Sequence, residues 1–228
     1  TVYNDFFIGD GAEVTIIAGC GIHNATCSDA EHDGVHTFYV GKNAKVRYVE
    51  KHVGTGDGTG KKKFDPVTKI YLKENACFTL ESTQLGGVTD TDRKTFATVG
   101  KNAQLIVKEK ILTDRTDRAV TDFKVRLSGR GSRADIVSRS VARGDSLQHF
   151  RSDMIGKNEC FGHVECDGIV LDRGRIVSTP KIDAVSPEAS LVHEAAVGKI
   201  AGEQLLKLMS LGLTETEAEA AVIRGFLN

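Results

Sequence analysis

The sequence predicts a mainly β protein, a parallel β-helix core followed by a small α-helical C-terminal domain. Three observations predict it. A four-residue turn recurs along the chain. Each copy leads into a run of alternating residues. After Pro180 and Pro187 the alternation gives way to helix-forming segments. A turn returning at this interval marks stacked repeats.

The clearest turns are Gly41-Lys42-Asn43-Ala44 and Gly100-Lys101-Asn102-Ala103. Looser copies are Gly9-Asp10-Gly11-Ala12, Lys73-Glu74-Asn75-Ala76, Gly131-Ser132-Arg133-Ala134 and Gly156-Lys157-Asn158-Glu159. Their fourth residues lie 32, 32, 27, 31 and 25 positions apart. Runs such as Ala44-Lys45-Val46-Arg47-Tyr48 and Ala76-Cys77-Phe78-Thr79-Leu80 follow with period two, the strand signal. A second apolar run precedes most turns, as at Val35–Val40 and Val67–Leu72. One repeat therefore reads strand, turn, strand, return loop. Asn43, Asn75, Asn102 and Asn158 suit a left-handed turn residue, and stacked amides could bond in a ladder. Aligning Glu159 with Ala44 places Cys160 outward and His163 inward.

The β-helix is expected over residues 1–197 and the helical domain over 198–228. Leu205, Leu206, Leu208 and Met209 have helical spacing before Gly212, a C-terminal cap. Thr214-Glu215-Thr216-Glu217 is a capping box. Ala218, Ala221, Val222, Gly225 and Phe226 then line one helix face. The pair reads first as a cap over the last coil, and otherwise as a docking surface.

Net charge is −1, which gives no field for nucleic acid. No apolar run is long enough to span a membrane, and no signal peptide opens the chain. Five irregularly spaced cysteines argue for a reducing, cytoplasmic compartment rather than a disulfide framework. The chain starts without methionine, close to strand-like residues, so an upstream segment is expected. The lack of tryptophan and of a secretion signal argues against a polysaccharide-acting enzyme.

Metal-type ligands concentrate in three stretches: Cys20, His23, Cys27, His32 and His36; Cys160, His163 and Cys166; and His193-Glu194. Thiolate and imidazole suit zinc, copper(I) or iron–sulfur centres, though no spacing here is a paired zinc pattern. Strict alternation puts His193 and Glu194 on opposite faces. The glycine-rich run Gly54–Lys63 lacks phosphate-loop spacing and reads as a mobile loop with Lys61, Lys62 and Lys63 solvated. Carboxylates are too scattered to single out an acid–base pair.

The tail carries a resemblance. Leu191-Val192-His193-Glu194-Ala195-Ala196-Val197-Gly198-Lys199-Ile200, then Glu203-Gln204-Leu205, Gly212-Leu213-Thr214-Glu215 and a closing Gly225-Phe226, resemble the ending of the SufB/SufD family of iron–sulfur cluster assembly scaffolds. Gly19-Cys20 and the glycine-rich insert also fit. The resemblance implies a right-handed parallel β-helix with a helical C-terminal domain. It implies a non-catalytic scaffold, with ATP hydrolysis in a SufC-type ABC ATPase that docks on the C-terminal helices. Leu205, Leu206, Met209, Val222 and Phe226 would be the docking residues. It further implies pairing as a homodimer or SufB/SufD-type heterodimer, a cysteine-derived sulfur donor and a transient iron–sulfur cluster, with flavin left open.

By the same resemblance His193 matches a histidine of both branches, and Glu194 a glutamate of the SufB branch. The SufB cysteine falls on Phe150 of Phe150-Arg151-Ser152-Asp153, and the SufD cysteine on Leu191. Cys160, Cys166 and Cys20 are the remaining thiol candidates for metal. A self-assembling structural β-helix without a cluster role is the competing reading, since open β-helix ends are sticky edges.

Overall fold

A computed structural model describes residues 1–228. Sixteen strands, β1–β16 in chain order, wind into a parallel solenoid, with two helices after them. One sheet runs β1 (Val2–Ile8), β4 (Gly34–Val40), β7 (Val67–Leu72), β9 (Asp90–Val99), β11 (Arg118–Leu127), β13 (Leu147–Gly156) and β15 (Arg175–Ala184). The other runs β2 (Glu13–His23), β5 (Lys45–Thr55), β8 (Cys77–Leu85), β10 (Gln104–Thr113), β12 (Ser132–Ala142), β14 (Cys160–Val170) and β16 (Ala189–Gly198). Two short strands, β3 (Ala30–His32) and β6 (Lys62–Phe64), pair with each other, and β6 pairs with β9, so they extend the first sheet.

The turn residues explain the stacking. Asn43, Asn75 and Asn102 adopt φ of 56°, 56° and 51°, which an amide side chain tolerates better than most. The alanine that follows each one is buried in the core. Asn75 Nδ2 donates to Asn43 Oδ1 at 3.0 Å, one rung of the expected ladder. Asn158 is not left-handed, and its amide donates to the Ser128 carbonyl instead.

The phase of the repeat differs from expectation in the later coils. The fifth turn is Gly129-Arg130-Gly131-Ser132: Gly131 takes the left-handed position, and Ser132 donates back to Gly129. Ser132 then pairs with Cys160, and Asp135 with His163. Cys160 therefore faces inward and is buried, and His163 faces outward, the reverse of the alignment on Glu159. A one-residue change of phase exchanges the two faces of a strand.

Apolar residues on the inward faces form one continuous core, in which Phe6 stacks on Phe38 with ring centroids 4.6 Å apart and Phe38 meets Phe78 edge-on at 5.0 Å. Helices α1 (Gly202–Ser210) and α2 (Glu215–Leu227) follow the last strand. The Thr214 hydroxyl accepts from the Glu217 amide, and the Glu217 carboxylate accepts from the Thr214 amide at 2.8 Å.

The helix pair does not close the last coil. Of the expected α2 face, Ala218 is buried, Ala221, Val222 and Phe226 are half-buried and Gly225 is exposed, and Ile223 and Leu227 are the other buried residues of the helix. Ile223 and Leu227 pack on Val141, with Leu112, Ile169 and Phe226 against them. Lys110 Nζ donates to the Asn228 carbonyl at 3.3 Å, which ties the tail to β10. The pair thus lies along the outer flank of the second sheet. The end made by β15 and β16 stays open, and its inward Ile182 and Val197 are 46% and 45% exposed.

The glycine-rich run also differs from expectation. Gly58 and Gly60 donate to the carbonyls of Asn24 and Thr26, so residues 56–60 lie stacked on the first coil. A Cβ on either glycine would collide with that backbone. Lys62 is buried rather than solvated.

Candidate functional site

The candidate residues divide between the open end and the interior. At the open end, Cys160 and Cys166 project inward from β14 and His193 inward from β16. His193 lies beside Val164, and Cys166 beside Ala195. Burial raises both thiols, Cys166 to about 11. Each is held as a neutral thiol, so ionisation must accompany ligation. Burial, then the charge of His163, lowers the pKa of His193, and its Nε2 is buried without a partner. A neutral imidazole with a free nitrogen is a competent ligand.

Glu194 faces outward, across the strand from His193. Its Oε2 lies 3.8 Å from His163 Nε2, while His163 Nδ1 lies 2.8 Å from Asp135. The hydrogen bond to Asp135 raises the pKa of His163. The open end therefore presents two sets, an inward one of thiols and imidazole and an outward one of imidazole and carboxylates.

Cys20 is not part of either set. It sits on β2, half-buried, paired with His52 near the opposite end of the solenoid. Burial, then the charge of Glu50, raises its thiol. Of its sequence neighbours, His36 joins the interior, whereas His23 and Cys27 are exposed. No three cysteine or histidine ligand atoms converge within this chain. The trio of acid, histidine or cysteine atoms that does, Glu31, Asp33 and Asp65, is carboxylate alone. Of the helix residues expected to meet a partner, Leu206 and Met209 are exposed, Leu205 and Val222 are half-buried, and Phe226 packs against the flank cluster.

The interior holds a site that motif reasoning missed. Strand pairing aligns Ala18, Glu50, Ser82, Glu109, Ser138, Cys166 and Ala195 in one inward column. Arg93 reaches into it from β9. Its Nη1 donates to Glu50 at 2.9 Å and to the Ser82 hydroxyl, its Nη2 meets His52 Nδ1 at 2.6 Å, and its Nε lies 3.8 Å from Glu109. Thr121 and Ser138 donate to Glu109 at 3.1 and 2.7 Å. The Tyr48 hydroxyl bonds Glu50 and His36.

One guanidinium serves two carboxylates unequally. Burial alone would raise Glu50, but the His52 hydrogen bond and the Arg93 charge more than offset it and hold the carboxyl at about 2. Glu109 gains less from Arg93, and burial raises its pKa. A buried charge network is costly unless fully paired, and here Arg93 Nε is buried without a hydrogen-bond partner. The signal was present in the sequence: alternation from Tyr48 puts Glu50 and His52 inward, which an ordinary core does not tolerate.

Comparison with known proteins agrees with this architecture. The family model described as the SUF system FeS cluster assembly SufBD core domain matches residues 6–226. A SufBD family protein of Methanothermobacter thermautotrophicus is 34% identical over 233 residues, covering 100% of this chain and 55% of the relative. One from Archaeoglobus fulgidus is 34% identical over 228 residues, covering 99% and 60%. One from Mycobacterium bovis is 30% identical over 219 residues, covering 92% and 25%. The chain spans little more than half the length of the two archaeal relatives. A family match over nearly all of a seven-coil parallel solenoid and its helical tail places this chain in the SufBD family of iron–sulfur cluster assembly proteins.

Proposed function

We propose that this chain is a non-catalytic scaffold that pairs through its open end and docks an ABC-type ATPase through α1 and α2. The observation that carries the pairing is the uncovered last coil. β15 and β16 each have a bare edge, and the apolar residues facing inward there lack a cover. Bare parallel edges are templates for another strand. The ligand count points the same way, since Cys160, Cys166 and His193 do not make a three-ligand set within one chain. A paired subunit would bring further donors to that end, and the nascent iron–sulfur cluster is the cargo they would hold. In this reading His193 is the main ligand, with Glu194, Cys160 and Cys166 as the other candidates. Exposed Leu206 and Met209 support docking on the helix pair.

Co-expression with a SufC-type ATPase tests the docking. Co-purification that is lost on Leu206→Asp with Met209→Asp is expected, and absence of co-purification with intact helices removes the claim. The competing reading is a self-assembling filament, which the bare edges of β15 and β16 would also allow. Light scattering separates the two: a fixed dimer supports the scaffold, and concentration-dependent growth supports the filament.

A further inference from the structure

The first two coils carry an extra excursion that the third lacks. Residues 24–33 and 56–65 swing out through β3 and β6, whereas the third coil cuts across at Gly86 and Gly87, both at positive φ. It rejoins the stack where Lys63 pairs with Asp90. Residues 56–61 therefore have no coil above them, and a notch of about 650 Å³ opens on the flank. Its far wall is the turn Arg115-Thr116-Asp117-Arg118, and none of its lining residues is apolar.

Three observations give the notch its chemistry. Lys62 lines it at 6% exposure as a residue, and its ammonium makes no hydrogen bond or ion pair within the chain. Arg115, across the notch, is exposed and has no ion-pair partner, and φ of 53° fixes its backbone there. Gly58 and Gly60 donate to the first coil, and the Asp57 and Thr59 amides that alternate with them find no acceptor within the chain.

The acids of the notch are largely engaged. Asp90 holds Arg118 at 2.9 Å and Lys61 at 3.7 Å. Asp117 is buried, accepts the Asp114 amide at 3.1 Å, and is raised by that burial. Asp57 alone stands free, at the rim.

We propose that this notch binds a small phosphoryl-bearing anion, with Lys62 and Arg115 as its charge partners and the Asp57 and Thr59 amides as donors. Several acceptor oxygens on one group can meet cations on two walls and a row of amides together. The site lies on the excursion flank, on residues that the proposed pairing and docking do not use.

Calorimetric titration of the full chain with pyrophosphate, adenosine triphosphate and citrate tests it. Binding of one pyrophosphate per chain, weakened by salt and weakened about tenfold or more by Lys62→Met or Arg115→Asn, is expected. Arg115→Asn keeps a residue that accepts the left-handed backbone, so it reports on the site even if Lys62→Met fails to fold. Equal affinity for the triphosphate assigns the phosphoryl group alone, and tighter affinity assigns a nucleotide. Absence of binding by both phosphoryl probes, unchanged affinity in Arg115→Asn, or citrate binding as tightly as pyrophosphate would overturn the proposal.

Discussion

Arg93 and Glu50 meet inside the solenoid with Nη1 and Oε2 2.9 Å apart, both side chains no more than 3% exposed. Their strands belong to opposite sheets, and 43 residues separate them in the chain. This contact crosses the hollow of the coil and ties the two walls together.

Removing the cation leaves two carboxylates buried. Arg93→Met is expected to cost about 3–5 kcal/mol, the penalty for breaking a buried pair from one side. Replacing Glu50 by Leu in the same chain is expected to recover part of that loss. Urea denaturation of the single and double variants measures both, and a loss under about 1 kcal/mol in Arg93→Met would show that water or rearrangement relieves the charges.

Glu109 sets a pH dependence opposite in sign to that of Glu50. Its carboxyl is raised by burial, so the folded state prefers the proton. Stability then declines as pH rises above the unfolded value of about 4.3 and through the higher folded one. Glu50, held near 2, contributes stability present above that unfolded value and lost as pH falls towards its folded pKa. Glu109→Gln is expected to gain stability relative to wild type between pH 4.5 and 7.5, read from denaturation midpoints at the two values. A constant difference across that range would contradict the raised pKa.

Asn75 carries a left-handed backbone and an amide rung to Asn43. Asn75→Ala is expected to cost about 1–2 kcal/mol, because a β-carbon without a local hydrogen bond is strained there. Asn75→Gly should cost less, since glycine takes that backbone freely. Thermal unfolding of the pair checks the order, and an equal loss in both would place the cost in the amide rung instead.

His193 lies on a bare edge strand, its imidazole near the open end of the coil. His193→Ala should change stability by less than about 1 kcal/mol while lowering cluster loading after anaerobic reconstitution with iron and sulfide. Mössbauer spectra of this variant beside Cys160→Ser and Cys166→Ser rank the ligands. Loading equal to wild type in His193→Ala removes that residue from the site.

The sequence by itself determined the stacked architecture, because its causes are local. A turn needing Asn43 or Asn75 in the left-handed region, and a strand alternating around Tyr48 or Leu80, are each written in a handful of neighbouring residues. The capping box at Thr214 was legible for the same reason. What tertiary structure decided depends on register between residues about thirty positions apart. One residue of phase at Ser132 turned Cys160 inward and His163 outward. Only the stacking of four strand pairs put Glu50, Glu109 and Cys166 in one column, with Arg93 arriving from the other sheet. The helix pair shows the same division. Its amphipathic pattern announced that one side would be buried, but many apolar surfaces could satisfy it, and the packing of Ile223 and Leu227 on Val141 chose the flank over the open end.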